Sequence, residues 1–131
     1  MPLEIITRNA AAKDSTAADT GEPSWIDVCA KADLPPNSGL CALIEQKQVA
    51  IFYSKTLDEV FAIGNYDPIG KANVLSRGIM GSLGDRLVIA SPLYNEHYDL
   101  RTGECLESET HSVPVYPVSI ENDVVRIQVA H

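Results

Sequence analysis

Apolar and polar positions alternate most cleanly near the C-terminal end of the chain. Val125, Ile127 and Val129 are interleaved with Arg126 and Gln128, the period-two texture of a strand with one face buried. The run before it, SVPVYPVSI (residues 112–120), is rich in β-branched residues, and Glu121-Asn122-Asp123 between the two reads as a hairpin turn. Pro114 and Pro117 lack the amide that a ladder needs, so this run is predicted as an edge or broken strand. Upstream, WIDVCA (25–30), LCALIE (40–45), QVAIFYS (48–54), EVFAIG (59–64) and RLVIAS (86–91) are short apolar runs separated by polar turns or by the loop DLPPNSG (33–39). Only KTLDEVF (55–61) has a helical texture, and it is too short to stand as a helix. Many short strands with turn signals between them predict an all-β domain, a small sandwich or barrel of antiparallel strands, over residues 25–131.

Two stretches depart from this pattern. Residues 8–24 (RNAAAKDSTAADTGEPS) hold few large apolar groups and cannot offset their ordering entropy by burial. Residues 1–24 are therefore expected to be a disordered tail. Residues 65–86 (NYDPIGKANVLSRGIMGSLGDR) carry four glycines and little alternation. A loop of that length inside a small domain is usually functional, and Val74, Leu75, Ile79 and Met80 are expected to pack it.

Composition narrows the partners. With 131 residues the chain is one domain by length. A net charge of −8 repels phosphate backbones and anionic lipid, so neither nucleic acid nor a membrane is an expected partner. Cys29, Cys41 and Cys105 are odd in number, form no CxxC, and stand outside metal-ligand spacing of one another or of a histidine. They read as reduced thiols. The first residues lack the ~7–15-residue apolar core of a secretory leader and no apolar run approaches about 18 residues, so neither a leader nor a membrane span is expected. The expected location is the cytoplasm.

Searches for catalytic patterns return little. His97, His111 and His131 make no HxxxH or HExxH pair, and GIMG and GSLG are not phosphate loops. A trio of Ser91, His97 and Asp99 can be written down, but any chain offers such trios. What remains is a constellation. NYD (65–67) opens the long loop, SPLY (91–94) opens a second loop after a strand, and YDLRTGECL (98–106) follows at once.

Two loops presented by a small β domain resemble the Rieske iron–sulfur domain, whose loops carry C-x-H and C-P-x-H, with an aromatic-Asp-Leu-x-Thr-Gly stretch after the second. The chain matches at Pro92, Tyr98, Asp99, Leu100, Thr102 and Gly103, which implies a Rieske-like fold with a two-loop subdomain. It departs at every ligand. Asn65 and Ser91 stand where the family has cysteine, and Asp67 and Tyr94 where it has histidine. A Rieske cluster needs two thiolates and two imidazoles, and oxygen donors do not replace thiolate on an iron–sulfur core. No catalytic and no metal-binding residue is therefore assigned.

Over residues 25–129, VAIF, NYDPIGKANVLSRGIMG, ASPLYNEHYDLRTGECLE and VPVYPVSI resemble the small subunits of assimilatory, cytoplasmic NAD(P)H nitrite reductases. The resemblance implies a chain without a redox cofactor of its own. Its partner would be a large subunit holding FAD, sirohaem and a [4Fe-4S] cluster, which reduces nitrite to ammonium. The alternatives are a Rieske-type [2Fe-2S] electron carrier and a regulatory β module unrelated to nitrite. Within the ligand-free site, Tyr94 is expected to fill part of the room, and Asn65, Asp67 and Ser91 to hydrogen-bond loop amides. A rival reading has Asp67 and Asn65 holding a hard cation. The loop tips are the expected docking surface, with Tyr66, Arg77, Tyr94, His97 and Arg101 as candidate contacts. The competing reading of Arg77 and Arg101 is local pairing with Asp67 or Asp99.

Overall fold

The computed structural model describes residues 5–8 and 24–129. Thirteen strands lie among them: β1 (Ile5–Arg8), β2 (Ser24–Ala30), β3 (Gly39–Ile44), β4 (Lys47–Ser54), β5 (Glu59–Gly64), β6 (Tyr66–Asp67), β7 (Ala72–Asn73), β8 (Ile79–Leu83), β9 (Arg86–Ala90), β10 (His97–Asp99), β11 (Val115–Tyr116), β12 (Val118–Glu121) and β13 (Val124–Val129). The helical elements among the described residues are two single 3-10 turns, Lys31–Asp33 and Leu75–Arg77. No helix among the described residues is long and apolar enough to cross a membrane.

A five-stranded sheet runs β1-β3-β4-β5-β11, with β12-β13-β2, β10-β9-β8 and the two-stranded β6-β7 as separate sheets. The pairings are antiparallel except β1 with β3, which is parallel. The expected disorder of residues 1–24 falls outside the described residues, save that Ile5–Arg8 forms β1 and Ser24 opens β2.

β4 shows why the run VAIF does not alternate. Val49 and Ile51 join one core with Ile26, Val28, Ile44, Val125 and Ile127. Ala50 and Phe52 join a second core with Ile63, Leu75, Ile89, Tyr98 and Leu100. A strand buried on both faces reads as a continuous apolar run. β13, buried on one face, alternates as its sequence predicted.

The C-terminal hairpin also forms as expected. Asn122 and Asp123 both take positive φ, 53° and 62°, the left-handed pair that a tight two-residue turn requires. Pro117 interrupts the preceding run between β11 and β12.

Candidate functional site

Two loops border the second core, which takes Leu75 from the first and Tyr98 from the strand after the second. The first runs from Asn65 through β6, β7 and the 3-10 turn to β8, and the second spans residues 91–96 between β9 and β10. They touch at their tips: a Cβ on Gly70 would lie 2.5 Å from Leu93 Cδ1 and 2.8 Å from Asp67 Oδ2. The second loop is closed by its own backbone, with the Ser91 amide donating to Glu96 O at 2.9 Å and the Asn95 amide to Ser91 O at 3.1 Å.

Asp67 lies at the centre, fully buried. Ser91 Oγ donates to Asp67 Oδ2 at 2.6 Å, while Tyr98 OH and the Ile69 amide donate to Oδ1 at 2.7 and 2.9 Å. Burial works to raise its pKa, but hydrogen bonds from Ser91, Glu96, the Gly70 amide and Tyr98 outweigh it and hold the carboxyl at about 2. Tyr98 is raised in turn, first by burial and then by the Asp67 carboxylate it donates to.

Asn65 is the second buried anchor. Its Oδ1 accepts the Ser76 amide at 2.7 Å, and its Nδ2 donates to Gln48 Oε1 at 2.9 Å and to Cys41 Sγ at 3.6 Å. The side chain ties the first loop to β3 and β4. Burial pushes the Cys41 thiol up, and the Cys105 thiol likewise, so neither has the thiolate character of a reactive cysteine.

The ligand-matching positions thus divide three to one. Asn65, Asp67 and Ser91 face inward and bond loop amides as expected, the Leu93 amide donating to Ser91 Oγ at 3.4 Å. Tyr94 does not fill the space between the loops. It is 71% exposed, because the tight turn from Ser91 to Asn95, where Asn95 takes φ 62°, turns residues 92–95 outward. The room goes instead to Tyr98 and Glu96, both buried. Tyr98 stood within the matched motif, whereas an acidic residue in a loop carries no sequence signal of burial.

The donors present do not fit a [2Fe-2S] cluster. An amide, a carboxylate, a hydroxyl and an outward phenol offer neither thiolate nor imidazole. Among the described residues, no group of three or more His, Cys, Asp or Glu side chains is placed to hold a metal ion. Asp67 is already saturated by neutral donors, which removes the basis for a hard-cation site at Asp67 and Asn65.

The remaining candidates are equally specific in placement. Tyr66, Arg77 and Tyr94 are exposed in or beside the two loops, and the Arg77 side chain makes no hydrogen bond or ion pair among the described residues. Arg101 is engaged elsewhere: it grips Glu59 with two bonds of 2.9 and 3.0 Å and lies over the Phe61 ring at 5.1 Å. Neither guanidinium pairs with Asp67 or Asp99, although the Arg101 backbone amide donates to Asp99 Oδ1 at 2.7 Å. His97 Nδ1 meets Glu107 Oε2 at 2.6 Å. The written trio of Ser91, His97 and Asp99 is not assembled, since these bond Asp67, Glu107 and Arg86 respectively.

A family model of the Rieske-like [2Fe-2S] domain matches residues 24–128. The nitrite reductase (NADH) small subunit of Escherichia coli K12 is 40% identical over 104 residues, covering 79% of this chain and 96% of that one. The crystal structure described as an NADH-dependent nitrite reductase small subunit from Mycobacterium tuberculosis superimposes with a TM-score of 0.78 at 34% identity, over 83% of this chain and 97% of that one. The nitrite reductase NAD(P)H large subunit of Klebsiella oxytoca contains a segment 34% identical over 113 residues, 82% of this chain and 12% of that one. The chain therefore belongs to the Rieske-like domain family, in the group of nitrite reductase small subunits.

Proposed function

We propose that this chain is the non-redox small subunit of a cytoplasmic NAD(P)H-dependent nitrite reductase, inactive alone, which binds and supports a large subunit. The observation that carries the reading is the donor set. The ligand positions hold Asn65, Asp67, Ser91 and Tyr94, and the first three are consumed by hydrogen bonds that hold the loops. The chain thus keeps the loop frame of an electron carrier without the means to hold iron. FAD, sirohaem and a [4Fe-4S] cluster would belong to the large subunit. The Klebsiella large subunit, with a segment like this chain inside it, supports a stable association of the two.

The docking face we propose is formed by the loop tips. Tyr66, Ile79, Leu93 and Tyr94 are exposed there, and unpaired Arg77 and Lys71 lie among them. Large exposed aromatics with a free arginine are the composition of an interface hot spot. Arg101 and His97, held by Glu59 and Glu107, contribute less because their bonds would have to break first.

Tagged chain purified from its native cells should bring down a partner with flavin and sirohaem absorption. Chain prepared anaerobically should be colourless and iron-free. Two irons per chain would overturn the reading in favour of an electron carrier, and a partner without flavin or sirohaem would overturn it in favour of a regulatory module. Within the complex, Tyr94→Ala and Arg77→Ala should each weaken large-subunit binding by about tenfold, roughly 1.4 kcal/mol.

A further inference from the structure

We infer that the space between the two loops is closed by a proton shared between the carboxyl groups of Asp67 and Glu96, in the place where other members of the fold hold a metal cluster. Asp67 comes from β6 in the first loop, and Glu96 ends the second. Both are buried, Glu96 at 5% exposure, and their carboxyl groups are hydrogen-bonded to each other beside the Ser91 hydroxyl. Two carboxylates in contact and out of water cannot both be ionised at modest cost. The donors decide which one keeps the charge. Asp67 receives Ser91 Oγ, Tyr98 OH and the Ile69 amide. Glu96 Oε1 is buried with no hydrogen-bond partner among the described residues. An ionised Glu96 would leave that oxygen charged and unsolvated, so the proton resides on Glu96, which donates to Asp67.

The other titratable groups around the pair do not supply a competing charge. Tyr98 on β10 is held protonated by burial and by Asp67. Cys105, which bridges Tyr98, has its thiol raised by burial. Glu107, beyond Cys105, is paired with His97. Burial first, and Asp67 second, raise the Glu96 pKa above its ordinary 4.5, while that of Asp67 is lowered to about 2. The contribution of Glu96 is therefore complete below about 4.5 and is lost as pH rises through its raised value. That of Asp67 is complete above 3.8 and is lost as pH falls through about 2. The loops are held most firmly at mildly acidic pH and loosen toward alkaline pH. This holds whichever partner docks on them.

The test is a carboxyl-carbon NMR titration of the isotope-labelled full chain, with thermal unfolding of the chain and of Glu96→Gln from pH 5 to 9. The expected result has the Glu96 carbon titrating above 4.5 and Asp67 still ionised at pH 3. Glu96→Gln, a neutral donor of the same shape, should keep its Tm where that of the native chain falls on the alkaline side. A Glu96 carbon titrating at or below its ordinary 4.5, or native and Glu96→Gln curves that run parallel, would overturn the inference. If Glu96→Gln does not fold, the titration of the native chain decides alone.

Discussion

Asp67 accepts bonds from Ser91, Tyr98 and the Ile69 amide while fully buried, so its loss strands three donors in the interior. Each orphaned buried group costs about 1–3 kcal/mol, and Asp67→Ala should destabilise the chain by at least about 3 kcal/mol in urea unfolding. Tyr94→Ala, at an exposed position one loop away, should stay within about 0.5 kcal/mol. That contrast checks the division of the ligand-matching positions into buried anchors and an outward contact. The carboxyl of Asp67 at about 2 against an ordinary 3.8 also sets an acid limit. The Asp67 contribution should be complete above pH 4 and decline on acidification through pH 2, by on the order of 2 kcal/mol. A urea series against pH, compared with Asp67→Asn, measures it. The burial of Asp67 is not legible in the residue or its neighbours, because its partners lie 24 and 31 positions away in sequence.

At the scale of elements, the signature YDLRTG is a turn rather than a reactive motif. Asp99 Oδ1 accepts the Arg101 and Thr102 amides at 2.7 and 3.1 Å, the Gly103 amide donates to Asp99 O at 2.8 Å, and Arg86 Nε holds Asp99 Oδ2 at 2.7 Å. Gly103 takes φ 80°, and a Cβ there would collide with the Val113 carbonyl oxygen. Gly103→Ala should cost about 2 kcal/mol or more, since strain and collision add, and thermal unfolding will show it. Arg101→Ala removes an exposed pair with Glu59 and should cost less than about 1 kcal/mol, falling further in high salt. This turn, the C-terminal hairpin and the break at Pro117 are legible in sequence because each is decided within a few residues. The long loop is less so: Leu75 packs as its apolar character predicts, whereas Ile79 stands 76% exposed at the start of β8.

At the scale of the whole molecule, β4 contributes to two cores through alternate faces, Ile51 to one and Phe52 to the other. Shared strands couple their layers, so Ile51→Ala and Phe52→Ala should each cost about 2–5 kcal/mol. Each should move one common transition, with near- and far-ultraviolet circular dichroism melting together. Separate melting of the two signals would show that the cores are independent. The sequence by itself determined the strand texture, the tight turns and the chemical identity of the donors at the ligand-matching positions, because period, turn chemistry and ligand type are local properties. Only the tertiary structure decided that Tyr94 turns outward, that Glu96 is buried against Asp67, and that Arg101 is held by Glu59 while Arg77 is left free. Those outcomes depend on which distant strands and loops converge, and burial and pairing are set by neighbours in space rather than in sequence.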